Sequence, residues 1–285
     1  MDIEKSRIGF LKEYDVFGSR RDRYFAMLPQ HDLSALYLFL SKARLERPIN
    51  SILDVGANIG LASFCIHDLV PAAIVHAFEP SRQTFTLLER NISHNGLSDS
   101  VHVHCLAAGD TNGSLSFRDD EDFLAGSAVG TGDDAYEVAG VTLDAFAAAQ
   151  GIAAIDMIKI DVEGYELAVL DGARETIRAN DPIVFFECNP SALVRSNIEL
   201  RDFLEAASNH LGDLYVVDRL SGDRLPIGRG AAAEAGLRAM ITSHWDVFDL
   251  VNLPASRPLA PLPPPQEALS GSFSRWLRRT LRRGT

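Results

Sequence analysis

Four charged residues suited to acid–base chemistry lie within or after two predicted strands in the second half of the chain. Lys159 and Asp161 alternate along one strand and therefore share a face. Glu163 follows in the next turn, and Glu187 ends the neighbouring predicted strand. Because the carboxyl ends of parallel strands meet at one edge of an open α/β sheet, we expect these groups to converge there. A carboxylate so placed can remove a proton from an acceptor, and Asp161 is the first candidate for this general base.

Lys159 has two interpretations. It could orient the carboxylate of Asp161 for catalysis, or it could form an ion pair that only stabilises the fold. The carboxylates also have an alternative role, because Asp161, Glu187 and Asn189 offer the oxygen ligands that magnesium accepts. The charge of Lys159 on the same face would repel a cation. We therefore expect Asp161 to act directly, with no metal ligands and with a divalent ion as the less favoured alternative.

A second set of candidate residues forms a glycine-containing turn that begins at Asp54. Gly56, Asn58 and Gly60 allow a sharp turn and a close approach of the backbone to a ligand, although an ordinary turn without a ligand has the same pattern. Their spacing differs from G-x-G-x-x-G, which disfavours a dinucleotide pyrophosphate. Glu79, 25 residues after Asp54, ends the next strand and could accept hydrogen bonds from both hydroxyls of a ribose. A ribose occurs in NAD and in S-adenosylmethionine, and the glycine spacing favours the latter.

Three motifs in this order resemble those of the FkbM-type S-adenosylmethionine-dependent methyltransferases. They are residues 54–60 (DVGANIG), residues 78–80 (FEP) and residues 156–164 (DMIKIDVEG), the last followed by Glu166. The resemblance covers roughly residues 49–190. It implies an α/β fold, with the doubly wound, mainly parallel seven-stranded sheet of class I methyltransferases (Rossmann-like) and an antiparallel strand near its end.

The resemblance also implies roles for individual residues. Asp54, Gly56 and Gly60 would line the methionine end of S-adenosylmethionine, and Glu79 would hold its ribose. Asp110 occupies the position at which such enzymes contact the adenine, but the Thr-Asn-Gly that follows is equally typical of a turn. The implied activity is methyl transfer to a hydroxyl group of a sugar, glycan or secondary metabolite. This acceptor class follows from the resemblance alone.

Short apolar runs alternate with helical patterns in the middle of the chain, which predicts βαβ units and a mainly parallel sheet. Strands are predicted at Ser51–Val55, Ile74–Glu79, Val101–Leu106, Met157–Asp161, Ile183–Glu187, Leu214–Asp218 and Val247–Leu250. Helices are predicted at Leu61–Leu69, Gln83–Asn95, Leu143–Gln150, Leu167–Ala179 and Glu199–Leu211.

Composition divides the chain into three regions. Residues 1–48 form an N-terminal extension with one helical pattern, and residues 49–253 form the predicted S-adenosylmethionine-binding domain. Residues 254–285 combine a proline-rich spacer with a basic tail. In the tail, apolar residues at helical spacing accompany five arginines, which indicates either an amphipathic helix for an anionic membrane or acidic partner, or a solvated tail.

Charge and composition exclude several classes of function. The 285 residues include 27 Lys and Arg against 39 Asp and Glu, and the net charge of −12 disfavours binding to nucleic acid. The three cysteines lie in apolar runs and are expected to be free thiols in the cytoplasm. No hydrophobic leader begins the sequence, which favours the same compartment. The histidines are scattered along the chain, without a metal-ligand spacing on one helix face.

Two other functions stay open at this point. A nucleotide-binding oxidoreductase would share the glycine turn, and a non-catalytic scaffold subunit would share the fold. The glycine spacing and the acidic residues argue against the first, and the intact set of charged residues argues against the second. We expect the walls of an acceptor pocket to come from residues 1–48, 118–138 and 219–244, including His244 as a minor candidate.

Overall fold

The computed structural model describes residues 3–28, 31, 33–119, 128–130, 134–241 and 247–254. The strands in this part of the chain are β1 (Ile3–Gly9), β2 (Glu13–Ser19), β3 (Ser51–Val55), β4 (Ile74–Phe78), β5 (Val101–His104), β6 (Ala107–Ala108), β7 (Gly113–Arg118), β8 (Ala128–Val129), β9 (Tyr136–Val141), β10 (Met157–Ile160), β11 (Ile183–Cys188), β12 (Leu214–Val217), β13 (Arg224–Gly228) and β14 (Phe248–Asn252). The helices are α1 (Arg23–Ala26), α2 (Ser34–Glu46), α3 (Leu61–Leu69), α4 (Arg82–His94), α5 (Leu143–Gln150), α6 (Glu166–Asp171), α7 (Arg174–Asn180), α8 (Pro190–Arg195), α9 (Leu200–Leu211) and α10 (Gly230–Met240).

The central sheet has the strand order β13-β12-β14-β11-β10-β3-β4-β5. Its strands from β11 to β5 are parallel, whereas β14 runs antiparallel between β11 and β12. The prediction of a mainly parallel α/β sheet with an antiparallel strand near its end is confirmed. The expected count of seven strands is exceeded by one, because β13 forms an antiparallel hairpin with β12 at the edge of the sheet.

Two hydrophobic layers cover the two faces of this sheet. Neighbouring residues of a strand point to opposite faces, so Ile52 packs in one layer and Leu53 in the other. Helices α2, α3 and α4 contribute to the first layer, and α5 to α10 contribute to the second. Every residue of β10 is buried, as expected for a parallel strand covered on both sides.

The helix predicted at Leu167–Ala179 is wrong in one respect, because two helices, α6 and α7, occupy this segment. The break lies at Gly172, whose carbonyl accepts a hydrogen bond from the backbone N–H of Asp144 instead of continuing the helix. The carboxylate of Asp144 then accepts the N–H groups of Glu175 and Thr176, at 3.0 and 2.7 Å. Side-chain capping by a distant residue therefore starts a second helix that no local pattern indicates.

The N-terminal segment contains the predicted helix, α2, but it also contains a hairpin of β1 and β2 that was not predicted. Three donors from this hairpin region reach Asp68 of α3: the N–H groups of Leu11 and Lys12 and the hydroxyl of Tyr14. Its other end is held by Asn91 of α4, which accepts the N–H of Phe17 at 2.7 Å. The description of residues 1–48 as a helical extension is therefore incomplete, and the domain boundaries at 48 and 253 stay predictions.

A small second sheet, with the strand order β6-β9-β7-β8, follows β5. It pairs β6 with β9 in parallel and β7 with both β9 and β8 in antiparallel fashion. Residues 255–285, including the predicted amphipathic tail, lie outside the described residues, as does His244. None of the helices described here is long and apolar enough to cross a lipid bilayer.

Candidate active site

The glycine turn between β3 and α3 lies against the loop that follows β10. Gly56 has a φ of +77°, and a Cβ atom added to it would lie 1.8 Å from the carbonyl oxygen of Asp161. Only glycine fits this close backbone contact. Asn58 also has a positive φ, +50°, and its N–H donates to Glu79 Oε2 at 3.0 Å. Gly60, with a φ of +100°, precedes the first residue of α3.

Glu79 is buried at the end of β4, with 7% of its surface exposed. Its Oε1 accepts the N–H of Ser81 at 2.9 Å, and its Oε2 accepts the N–H of Asn58. Burial raises the pKa of Glu79 to about 7, against the opposing effect of these two hydrogen bonds. Each oxygen retains an acceptor position, because a carboxylate oxygen has two lone pairs.

Lys159 joins the glycine turn to the acidic residues. Its Nζ donates to the carbonyl of Gly56 at 3.0 Å and lies 3.4 Å from Asp54 Oδ1 and 3.3 Å from Asp161 Oδ2. Asp54 is fully buried and also accepts the hydroxyl hydrogen of Ser63 at 2.6 Å. Burial lowers the pKa of Lys159, but the charges of Asp161 and Asp54 outweigh that effect and raise it above its usual value. Lys159 is therefore a permanent cation that holds Asp161, and it is not a proton acceptor.

The turn after β10 presents Glu163 in an unusual backbone conformation. Glu163 has a φ of +55°, a region that residues other than glycine rarely adopt. Glu166 stabilises this turn, because its Oε1 accepts the N–H groups of Val162 and Gly164, both at 3.2 Å. Arg195 of α8 donates to Glu163 Oε2 at 3.0 Å. The strain is concentrated at a charged residue beside the cavity, as is common at functional sites.

Asp161, Glu163 and Glu187 converge, as predicted, with one carboxylate oxygen of each within 4.8 Å of the others. Burial and the neighbouring Asp161 charge raise the pKa of Glu163 to about 7. Burial, Asp161 and Glu163 raise the pKa of Glu187 well above its usual value. Glu187 Oε2 is buried and has no hydrogen-bond partner within the described parts of the chain. Close carboxylates of this kind share protons at neutral pH.

Asn189 does not join this group as the magnesium alternative supposed. Its side-chain oxygen accepts the N–H groups of Ser191 and Ala192, at 3.1 and 3.2 Å, and so caps the start of α8. Glu163 occupies the third position instead. The alternative set of oxygen ligands is therefore three carboxylates, with Lys159 beside one of them.

A cavity of about 600 Å³ connects Glu79 to these carboxylates. This volume lies within the usual range of small-molecule sites. Of the predicted site residues, six line the cavity: Gly56, Asn58, Glu79, Lys159, Asp161 and Glu187. Within the described part of the chain, the other three do not line it. Asp54 lies behind Lys159, and Gly60 is the N-cap residue just before α3. The exposed Asp110 accepts a hydrogen bond from the hydroxyl of the cavity residue Tyr165 at 3.4 Å.

The remaining walls come from parts of the chain in which the sequence showed no chemistry. Residues 1–48 contribute Tyr24, His31 and Leu33, and the small sheet contributes Phe117 and Arg118 among others. Residues 1–48 were predicted as a wall, and Arg118 lies in the predicted region 118–138, whereas Phe117 lies just outside it. None of these individual residues was predicted. From the predicted region 219–244, no described residue lines the cavity. No local pattern marks Tyr24 or His31, because a hairpin 30 or more residues from the glycine turn positions them.

His31 has a defined arrangement in this wall. Its Nε2 lies 2.7 Å from the backbone carbonyl of Tyr24, which can only accept a hydrogen bond, so Nε2 carries the hydrogen. Burial lowers the pKa of His31. The neutral ring therefore has an unprotonated Nδ1, which is a hydrogen-bond acceptor. Tyr24 and His31 also pack ring against ring, with centroids 3.9 Å apart.

Comparison with known proteins shows to which family the chain belongs. The model of the methyltransferase FkbM domain matches residues 54–213, which include the glycine turn, Glu79 and all three carboxylates. The chain belongs to the FkbM methyltransferase family. The resemblance carried by the three sequence motifs is thereby confirmed.

Two curated relatives illustrate what this member of the FkbM family is similar to. It is 31% identical over 161 residues to the 31-O-demethyl-FK506 methyltransferase FkbM of Streptomyces tacrolimicus, which covers 45% of this chain and 61% of that protein. It is 26% identical over 179 residues to the 2-O-methyltransferase NoeI of Sinorhizobium fredii, which covers 56% of this chain and 72% of that protein. The chain thus spans about three fifths of the length of the first of these relatives.

A solved structure of methyltransferase FkbM from Methylobacillus flagellatus is 18% identical and has a TM-score of 0.44. The match covers 71% of this chain and 43% of that chain. A likeness of this size supports no conclusion about function.

Proposed function

We propose that this protein is an S-adenosylmethionine-dependent O-methyltransferase that acts on a hydroxyl group of a sugar, glycan or secondary metabolite. The observation that carries the proposal is one cavity with two chemically different ends. A buried carboxylate, Glu79, follows β4 at one end, and a lysine-held carboxylate, Asp161, follows β10 at the other. The glycine turn follows β3 and lies between them, because β3 pairs with both of these strands.

The residues at the first end fit the cofactor. Each oxygen of Glu79 has used one acceptor position on a backbone N–H and keeps another, which matches the two hydroxyls of a ribose. Gly56 and Asn58 also line the cavity, and they would contact the part of the cofactor beyond the ribose. When bound, S-adenosylmethionine supplies a methyl group on a positively charged sulfur.

The second end would prepare the acceptor. Methyl transfer needs the acceptor oxygen aligned with the methyl group and freed of its proton. Asp161 is the proton acceptor in this proposal, because the ammonium of Lys159, 3.3 Å from its Oδ2, fixes its orientation. Burial and the neighbouring carboxylates raise the pKa of Glu187, and in its protonated form Glu187 can donate a hydrogen bond to an acceptor oxygen.

The proposed acceptor class follows the relatives, whose names specify methyl transfer to oxygen. The cavity wall suits a hydroxylated acceptor, since Tyr24, His31 and Ser191 place hydroxyl and imidazole groups along it. Transfer of radioactivity from methyl-labelled S-adenosylmethionine tests the proposal directly. The acceptors would be 31-O-demethyl-FK506, methyl glycosides and extracts, and labelled product should carry an ether-linked methyl group.

Cofactor binding distinguishes the proposed methyltransferase from the oxidoreductase alternative. We expect S-adenosylmethionine to raise the melting temperature of the protein, as any ligand that binds only the native state does, whereas NAD and NADH should leave it unchanged. Stabilisation by a nicotinamide cofactor alone would contradict the proposal.

Chelation distinguishes direct action of Asp161 from the metal alternative. Direct action of Asp161 predicts undiminished activity in EDTA. Loss of activity in EDTA, with rescue by magnesium, would favour the metal.

A further inference from the structure

Three histidines from two strands come together on the edge of the central sheet, outside the cavity. In the parallel pairing of β4 and β5, His76 lies opposite His102. His104 is two residues further along β5 and therefore lies on the same face. The pairing register of the two strands brings these three imidazoles together, and that register cannot be read from either strand alone.

Within this histidine cluster, the distance between two of the rings suits a shared metal ion. His76 Nδ1 and His104 Nε2 are 3.1 Å apart. Two nitrogen ligands at ~2.1 Å in tetrahedral zinc coordination are roughly 3.4 Å apart, so only a small adjustment is required. The ring of His102 lies 5.4 Å from that of His76, measured between centroids. The nitrogens of His102 lie farther from those of the other two rings than a shared ion requires, so binding needs a rotation of this side chain, which is exposed on the edge strand.

The hydrogen bond between two of these rings also suits a metal. His76 Nδ1 and His104 Nε2 share one hydrogen, so one of these two nitrogens is unprotonated and accepts it. An unprotonated imidazole nitrogen is the form that binds a metal. On metal binding, the hydrogen between the two rings would move to the other nitrogen of its own ring.

The aromatic ring of Phe146 closes one side of the cluster. It meets His76 and His104 edge-on, with centroids 5.4 and 4.8 Å away. The open side is that of His102, at the edge of the sheet. The cluster also adjoins the cofactor end of the cavity, because the carbonyl of His104 accepts the N–H of Glu79 at 3.0 Å.

We propose that His76, His102 and His104 bind one borderline divalent transition-metal ion, with Zn²⁺ as the probe and water completing its coordination. Three imidazole nitrogens are a common ligand set for this class of ion. The site is separate from the three carboxylates of the cavity, whose oxygen ligands suit magnesium better. Because the ion would bind only the folded pairing of β4 and β5, it would stabilise the strand end that carries Glu79.

Calorimetric titration of the full chain with ZnCl₂ at pH 7.5, in the absence of any polyhistidine tag, tests the proposal. We expect one ion per chain and a visible absorption band of tetrahedral type when Co²⁺ is used instead. His102→Gln, a change at an exposed position, should weaken Zn²⁺ binding at least about tenfold, since even partners behind metal ligands contribute that much. His104→Gln should do the same.

Two controls locate the ion. His94→Gln removes a histidine of α4 outside the cluster and should leave Zn²⁺ affinity unchanged. The double variant Asp161→Asn, Glu187→Gln removes two cavity carboxylates and should also retain binding. The proposal is overturned if wild-type protein binds no Zn²⁺, if His102→Gln binds it as tightly as wild type, or if the carboxylate variant alone abolishes binding.

Discussion

At the scale of single residues, Lys159 and the carboxylates have different roles in the proposed proton transfer. Lys159 contacts Gly56 and Asp54 on one side and Asp161 on the other, and only 6% of its surface is exposed. Because the two carboxylates raise its pKa, it does not exchange its proton near neutral pH. Among the described residues that line the cavity, the groups that can accept a proton from an acceptor are therefore the carboxylates and the neutral ring of His31.

Asp161→Asn tests the assignment of the base. The amide keeps the shape of the side chain but cannot take a proton, so we expect turnover to fall by ~10²–10⁴-fold. The affinity for S-adenosylmethionine, measured by calorimetry, should be nearly unchanged, because Asp161 lies at the opposite end of the cavity from Glu79. Full turnover in the variant would remove Asp161 as the base.

Glu79→Ala tests the assignment of the ribose contact. Loss of hydrogen bonds to a charged group should weaken S-adenosylmethionine binding by about 1–3 kcal/mol. Glu89→Ala is the matched control, since Glu89 is exposed on α4 and does not line the cavity. Circular dichroism would establish that both variants are folded. If Glu79→Ala binds the cofactor as tightly as the control, Glu79 does not hold it.

The residues that could be predicted were those within local motifs. Asp161, Glu163 and Glu187 were expected to meet because each follows or ends a parallel strand, and the structure brings them together. Asp54 was expected to line the cavity, yet it lies behind Lys159, because it lies within the buried strand β3, where successive side chains point to opposite faces of the sheet. The orientation of Asp54 depends on packing across strands, which the motif does not specify.

At the scale of elements, the N-terminal hairpin owes its position to polar contacts with helices. Asp68, with 6% of its surface exposed, accepts hydrogen bonds from Leu11, Lys12 and Tyr14. An isolated two-stranded hairpin is only marginally stable in water. The β1–β2 hairpin therefore depends on α3, and the cavity wall that follows it in the chain depends on the hairpin.

Asp68→Ala tests this dependence. Removal of a buried acceptor for three donors should lower the free energy of unfolding by about 1.5–3 kcal/mol, the range for hydrogen bonds to a charged group. Urea denaturation would measure the loss, and limited proteolysis should show earlier cleavage between β1 and α2. Asp99→Ala, at an exposed position, is the control. Equal stability of the two variants would show that the hairpin does not rely on Asp68.

The elements that the sequence predicted are those with a strong local pattern. The strand β3 and the helices α3 and α5 have the predicted bounds, because each combines a buried apolar run with turn or capping residues. The hairpin of β1 and β2, the strand β13 and the small sheet were missed. Their stability comes from pairing and from contacts with distant residues, and a single strand of this kind has no signature of its own.

At the scale of the whole molecule, buried carboxyl groups make stability depend on pH. Folding raises the pKa of Glu163 from 4.5 to about 7, so the folded state holds this proton more tightly than the unfolded state. The resulting stabilisation is complete below pH 4.5 and is lost as the pH rises to about 7. Relative to Glu163→Gln, the wild-type apoprotein should lose up to about 3 kcal/mol across this interval.

Urea denaturation of wild type and Glu163→Gln at several pH values between 4.5 and 8 would measure this difference. Glu175→Gln is the control, because Glu175 is exposed on α7 and its removal should leave the shape of the pH profile as in wild type. Parallel pH profiles for wild type and Glu163→Gln would contradict the predicted protonation of Glu163 in the folded state.

The contacts of the N-terminal hairpin have a consequence for the order of events during synthesis on the ribosome. β1 and β2 leave the ribosome before Asp68 and Asn91, the residues that hold them, have been made. Domains fold as units once their parts are available, and a lone hairpin is not stable in the meantime. The β1–β2 hairpin is thus fixed only after α3 and α4 have emerged. The wall that carries Tyr24 and His31 is then assembled onto a glycine turn that follows it in the chain.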